Sequence, residues 1–328
     1  EIVNAGEIKI RGDAIGMYVD ANSSGENSGT ITAKNSGTMK AIGAYVKSNT
    51  ATFKNTGTIE TENIALALQD TAAGKITGLG TLKLKDDNAV GVYAKDSKIV
   101  FNIVAPTVDS GKKNTVALYA EGATEISKEI TSTTGDGHIG VYAKDSGVQF
   151  KSGSKVTVGN GNGTNFGIGI YTAPGYIGSL ATEIAQGGDK TIGLFLGANS
   201  TNGSTINYTG TIGVGAGIGV YVPNKSSFVS KNTTFNVNGG TAIYLKGGTA
   251  DLGKAGTATI NFGGSGGSAV YLDGGKIETG SGLTITGSGS FLTLKNADTT
   301  INSKLSVAKD GTGINSIYDN TGRAKDYT

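Results

Sequence analysis

One short motif recurs from end to end of this 328-residue chain, and copies of so short a unit can bury an apolar side only by stacking on one another. It reads Ala14-Ile15-Gly16-Met17-Tyr18-Val19, then Ala41-Ile42-Gly43-Ala44-Tyr45-Val46, then Ala89-Val90-Gly91-Val92-Tyr93-Ala94. The aromatic slot returns at Tyr119, Tyr142, Tyr171, Phe195, Tyr221, Tyr244 and Tyr271, and degenerate copies place Ala67, Thr293 and Tyr318 in it. Between residues 18 and 318 there are 13 copies at a mean spacing of 25 residues, individual spacings running from 22 to 29.

Within each copy apolar and small residues alternate, the period-two pattern of a β-strand. Two weaker β-like segments fill each interval, as in Ala51-Thr52-Phe53 and Asn55-Thr56-Gly57-Thr58-Ile59. Asn-x-Gly-Thr at Asn27, Asn35 and Asn55 supplies residues that tolerate positive φ, and predicts sharp corners there. Three strands and three turns per 25 residues make one rung of a parallel β-helix. The expected architecture is all-β, about 13 rungs of about 25 residues, a rod of roughly 60 Å at the usual strand spacing, with residues 1–328 forming one continuous segment. Val90, Val116, Ile139, Ile168, Ile192 and Ile218 are expected to form one interior ladder, and Val92, Leu118, Val141, Ile170, Leu194 and Val220 the next. A propeller would need about 40 residues per blade, and a leucine-rich repeat its Leu/Asn consensus. Calcium-binding nonapeptides are excluded too, because the closest run, residues 263–267, lacks the Asp.

Composition narrows the chemistry. Gly, at 55 residues, is far above its ordinary share, but with 3 Pro and no G-X-Y period the chain is not collagenous. Regular aliphatic alternation argues against disorder. The balance of 28 basic and 26 acidic residues, net +2, is too even to drive nucleic-acid binding. With 0 Cys and 1 His, disulfides, thiolate metal sites, cysteine nucleophiles and most histidine catalysis drop out. No cofactor is expected. Nothing approaches the roughly 20 apolar residues of a membrane helix, and Glu1-Ile2-Val3-Asn4 is not an export signal, so the chain reads as a processed product or an excised piece.

Val-Gly-Val-Tyr-Ala-Lys-Asp at residues 90–96, nearly repeated at residues 139–145, together with the Asn-x-Gly-Thr corners, resembles the passenger regions of large fusobacterial type V autotransporter adhesins. The likeness is one of repeat style and covers nearly the whole chain. It implies a right-handed parallel β-helix held outside the bacterium, with an export signal before it and an outer-membrane β-barrel after it. It also implies a monomeric, non-enzymatic passenger whose partner is a glycan or protein on a host cell or another bacterium.

The aromatic slots share one phase and are expected to face outward as a stacking ladder, interrupted at Ala67 and Thr293, with the Gly or Ala two residues earlier leaving room for each ring. If the ladder also binds, Tyr93, Tyr119, Tyr142 and Tyr171 are its candidate residues. The longest interval, 29 residues from Tyr142 to Tyr171, contains a polar run at 159–165 expected to protrude, adding Asn160, Asn162 and, just beyond, an exposed Tyr176. His138 superficially resembles the Gly-His-Gly of β-helical polysaccharide hydrolases, with Asp86-Asp87 as the paired acids about 6.5 to 9.5 Å apart that inverting cleavage needs. Yet His138 stands in a slot filled elsewhere by Ala or Thr, and Arg11 and Arg323, at opposite ends, form no substrate clamp. Asp96 and Asp145 share a repeat position but are too few for calcium. Thr-x-Thr triplets at Thr30, Thr257 and Thr284 suggest an ice-binding face, but they do not recur at every rung. The readings left are a binding module, a passive spacer and, distantly, a polysaccharide-cleaving enzyme.

Overall fold

A computed structural model describes residues 1–162, 164–263 and 267–295, with backbone strands at Ala308–Lys309 and Ile317–Asp319. Gly163, residues 264–266, the side chains of the thirteenth copy and Arg323 lie outside the described residues. Among the described residues every regular element is a β-strand, and every pairing given between strands is parallel. The architecture is the expected parallel β-solenoid. The chain falls into two compact units, Glu1–Gly167 and Ile168–Thr328.

In the first unit the motif strands Ile15–Val19, Ile42–Lys47, Ile64–Gln69, Val90–Lys95, Val116–Glu121 and Ile139–Ala143 stack in chain order. Their register places Tyr18, Tyr45, Ala67, Tyr93, Tyr119 and Tyr142 in one row, so the degenerate copy at Ala67 is a true rung. After the strand, the residue three past the aromatic slot turns the chain with positive φ at Ser48, Asp70, Asp96 and Gly122. That is a left-handed conformation, and short polar residues and Gly adopt it at least cost.

A second face is built from Ile2–Asn4, Ser24–Asn27, Glu7–Arg11, Thr30–Lys34, the ten-residue Thr52–Thr61 and Ile76–Leu84. Here two of the three expected corners are corrected. Asn55 lies within Thr52–Thr61 and Asn27 ends a strand, and both are buried. Their side chains point inward and link the rungs: Asn4 Nδ2 donates to Asn27 Oδ1 at 2.7 Å, Asn27 Nδ2 donates to Asn55 Oδ1 at 2.7 Å, and Asn55 Nδ2 donates to the Leu79 carbonyl. A stacked amide row satisfies its own donors and acceptors, which is what makes such burial tolerable.

In the second unit Gly167–Thr172, Thr191–Leu196, Ile218–Pro223, Thr241–Lys246, Ser268–Leu272 and Ser290–Leu294 carry the motif, and the last pairs with Ile317–Asp319. Phe195, Tyr221, Tyr244, Tyr271 and Thr293 are in register. The opposing face comes from Thr205–Val214, Ser227–Val237, Thr257–Phe262 and Leu283–Thr286, whose Ile212, Phe235, Ile260 and Ile285 form an interior column.

Of the two expected interior ladders, the residues of one are interior within each unit and the other is corrected. Val92, Leu118, Val141, Ile170, Leu194 and Val220 are completely buried. Of the other set, Val116 and Ile192 are buried but Val90, Ile139, Ile168 and Ile218 are only half-buried, and the equivalent Ile15 is 40% exposed. The inward neighbour of the buried column is instead the small residue two before the aromatic slot, such as Ala65, Ala117, Ala242 and Ala269. Two successive side chains turn inward, so strict alternation is broken within the motif. The reason for Gly at this position is therefore internal: a Cβ on Gly43 would stand 2.3 Å from Ile59 Cγ2 and 2.6 Å from the Ala65 carbonyl oxygen.

Candidate functional site

The aromatic slots form ladders on the outer surface. In the first unit Tyr93 and Tyr119 stack at 5.6 Å between ring centroids, and Tyr119 and Tyr142 at 4.8 Å with planes 8° apart. Tyr18 and Tyr45 meet edge-on at 5.5 Å, below the gap at Ala67. In the second unit Tyr171, Phe195, Tyr221, Tyr244 and Tyr271 stack continuously at 4.8 to 5.4 Å. The rings from Tyr93 to Tyr142 and from Tyr171 to Tyr271 are half-buried, so they brace the surface while leaving an edge to solvent.

Their hydroxyls meet residues two positions beyond the slot. Tyr93 donates to Glu121 Oε1 at 2.5 Å, Tyr244 donates to Asp273 Oδ2 at 3.0 Å, and Tyr45 donates to the Gln69 side chain. In all three cases the acceptor lies one rung on. Burial, then these acidic acceptors, push the Tyr93 and Tyr244 phenols far above the ordinary value, so they are donors at any physiological pH. Asp273 also pairs with Lys295 at 2.9 Å, and that ammonium holds the carboxyl below its usual range.

The 159–165 loop is pinned to the preceding rung. Gly135 N donates to the Asn160 carbonyl at 2.8 Å, Gly159 N donates to Ser132 Oγ at 2.7 Å, and Asn165 N donates to Asp136 Oδ1 at 2.8 Å. Asn160 and Asn162 are exposed as expected, on a tethered backbone. Tyr176 is corrected. It is 2% exposed, and its ring packs on Gly178, where a Cβ would lie 3.1 Å away. It belongs to the core of the second unit and to no surface site.

Beneath the loop, Asp136 and His138 border a cavity of about 310 Å³ together with the corner at Asp109–Lys113 and Asn162. Lys113 Nζ lies 2.8 Å from Asp136 Oδ2 and holds that carboxyl below its usual range. His138 is 3% exposed, and burial lowers its pKa. Its Nδ1 accepts from Thr115 N at 3.3 Å and lies 2.8 Å from Thr115 Oγ1. A backbone N–H can only donate, so the ring is neutral with its proton on Nε2. The sequence reading missed Lys113 and Asp136 as a pair. Their separation of 23 residues, one rung, is the signal that could have placed them in one row.

The remaining acidic candidates have structural partners. Asp86 pairs with Lys112 at 2.9 Å, which lowers its pKa, and Asp87 Oδ1 accepts Lys113 N at 2.9 Å. Asp96 accepts Ala123 N at 2.7 Å, while Asp145 accepts Gly122 N at 3.0 Å and Gly147 N at 2.9 Å, so both tie down turns. Among the described residues no group of three His, Asp or Glu side chains could hold a metal ion. The Thr-x-Thr strands lack a uniform hydroxyl array: Thr32 pairs with Glu60, and Thr286 donates to Asn261 Oδ1 at 2.7 Å while Asn261 Nδ2 donates to Asn236 Oδ1 at 3.0 Å.

Comparison with known proteins adds one finding. Residues 1–105 are similar to the family described as the BigA third pectate lyase-like domain. That stretch covers the rungs from Ile2–Asn4 through Lys98–Ile99 in the first unit and stops short of His138. No curated protein and no solved structure matches the chain.

Proposed function

We propose that this chain is a non-enzymatic segment of an autotransporter passenger, held outside the bacterium by an outer-membrane barrel elsewhere in the parent protein. In this reading it attaches the cell, as a monomer, to a glycan or protein on a host cell or another bacterium. The observation that carries it is the corner where the longest rung pins the polar 159–165 loop over Asp136. Stacking alone requires no such elaboration, whereas a scaffold that presents a binding feature does. The likeness of residues 1–105 to a BigA domain fits a bacterial surface role.

A passive stalk is the second reading, favoured by the regular ladders, which stiffen a surface whether or not anything binds them. Polysaccharide cleavage fits least well. A general acid needs a raised pKa, whereas Lys112 and Lys113 depress Asp86 and Asp136, and His138 is fixed as a neutral donor.

The test is saturable binding of the purified chain to epithelial cells, bacteria and a glycan array. It is compared with a variant having a shortened 159–165 loop and Tyr142→Ser and Tyr171→Ser. Binding by the parent and loss by the folded variant is the expected result. No binding by either shows a spacer.

A further inference from the structure

The cavity beside His138 contains a polar group that the fold leaves unused. Its lysines are matched by carboxylates: Lys112 by Asp86 at 2.9 Å and Lys113 by Asp136 at 2.8 Å. Asp109, also on its wall, is matched by Lys85 at 3.2 Å. No net charge is left over for an anion. A metal ion is equally ill-served, because His138 Nδ1 already accepts from Thr115 and Nε2 carries the proton.

That Nε2–H has no hydrogen-bond partner among the described residues, although His138 is 97% buried by its 3% exposure. It faces Gly135, where even a single Cβ would stand 2.3 Å from it, so only Gly leaves the ring edge room. The atom is not sealed from solvent, since among the described residues the fully buried side-chain atom without a partner is Thr279 Oγ1, so a water or a ligand oxygen in the cavity is free to take this donor. The same cavity is lined by Thr134 and by the Lys113–Asp136 pair, whose remaining donors and acceptors are available to a ligand. About 310 Å³ lies at the small end of ligand sites.

We propose that this cavity binds one neutral pyranose unit of a surface glycan. A sugar oxygen accepts from His138 Nε2–H, and adjacent hydroxyls bridge the Lys113 ammonium and the Asp136 carboxylate. Hydroxyl groups both donate and accept, which is what a wall of paired charges can use without net charge transfer to the ligand. The assignment deepens the adhesive reading and rests on it for its biological role.

The single histidine makes the test direct, since one set of imidazole resonances reports the site. The folded chain is titrated with methyl glycosides of glucose, galactose, mannose and the N-acetylhexosamines, and separately with inorganic phosphate and methyl glucuronide. At least one neutral glycoside is expected to shift the His138 Nε2 resonance saturably at millimolar concentration. Lys113→Met, at an exposed position, and His138→Phe are each expected to weaken that binding about tenfold, the factor for one hydrogen bond of about 1.4 kcal/mol. A response to the anions alone, or to nothing, overturns the assignment. So does unchanged glycoside affinity in Lys113→Met, which remains a test should His138→Phe fail to fold. Cell attachment that survives Lys113→Met while glycoside binding is lost overturns the site's part in adhesion and leaves the adhesive reading standing. Glycoside binding by a chain that attaches to no cell supports the site and overturns that reading.

Discussion

Each ladder phenol is a titratable group in a half-dry place. Tyr93, Tyr119, Tyr142, Tyr221 and Tyr244 are all raised above 10.0, burial being the largest cause in every case. A phenol whose folded pKa exceeds its unfolded one contributes stability that is fully present below the unfolded value. That contribution is lost as the pH rises through the folded value. Titration followed by phenolate absorbance is expected to show these rings ionising above pH 10 together with loss of the β circular dichroism signal. Ionisation of every tyrosine near 10 with the fold intact would contradict this environment. The buried amides give a second prediction at this scale. Asn27→Ala leaves Asn4 Nδ2 and Asn55 Oδ1 short of a partner, and urea unfolding is expected to show a loss of about 1–3 kcal/mol. Asn160→Ala, on the exposed loop, is expected to stay within about 0.5 kcal/mol of the parent. The slot of His138 was legible, because its repeat equivalents are small and it proved buried like them. The burial of Tyr176 was not, because Pro174-Gly175 signals a turn without saying which side of the chain the next residue takes.

Within a strand, the local question is which residues point inward. Aliphatic alternation in the motif suggests that the residue three before the aromatic slot is interior, and Ile15, Val90 and Ile218 show that it is not fully so. The inward turn of two successive residues is a backbone irregularity that no side-chain pattern announces. Its trace in the sequence is the near-invariance of Gly or Ala within the repeat, easily misread as space for the ring. The two explanations separate experimentally. Gly43→Ala forces a Cβ against Ile59 and the Ala65 carbonyl, with an expected cost of about 1–3 kcal/mol. Gly6→Ala, with nothing within 4 Å of the new Cβ, is expected to be nearly neutral. Equal, small effects at both positions would show that the motif glycine faces outward after all.

Over the molecule, the period of 25 residues carried most of the fold: stacking order, parallel pairing and the register of the aromatic rows all follow from it. What the period could not supply is anything that depends on contacts between corners one rung apart. Examples are the Asn4–Asn27–Asn55 row, the pairing of Lys113 with Asp136, and the cavity they help to enclose. Those features exist only if the rungs align residue for residue.

The chain has no cysteine of its own, so paired substitutions test that alignment in each unit. Lys95 is opposite Glu121 in the first unit, and Thr234 is opposite Thr259 in the second. Neighbouring strands stand about 4.8 Å apart, within the roughly 4.4–6.8 Å over which two Cα atoms can be bridged by a disulfide. Under mild oxidation the Lys95→Cys/Glu121→Cys and Thr234→Cys/Thr259→Cys chains are expected to cross-link internally and nearly completely. Pairs displaced by two residues, Lys95→Cys/Ala123→Cys and Thr234→Cys/Asn261→Cys, are expected to remain reduced. Efficient cross-linking of the displaced pairs, with the aligned pairs left free, would contradict the register on which the ladders, the corner and the proposed binding site all depend.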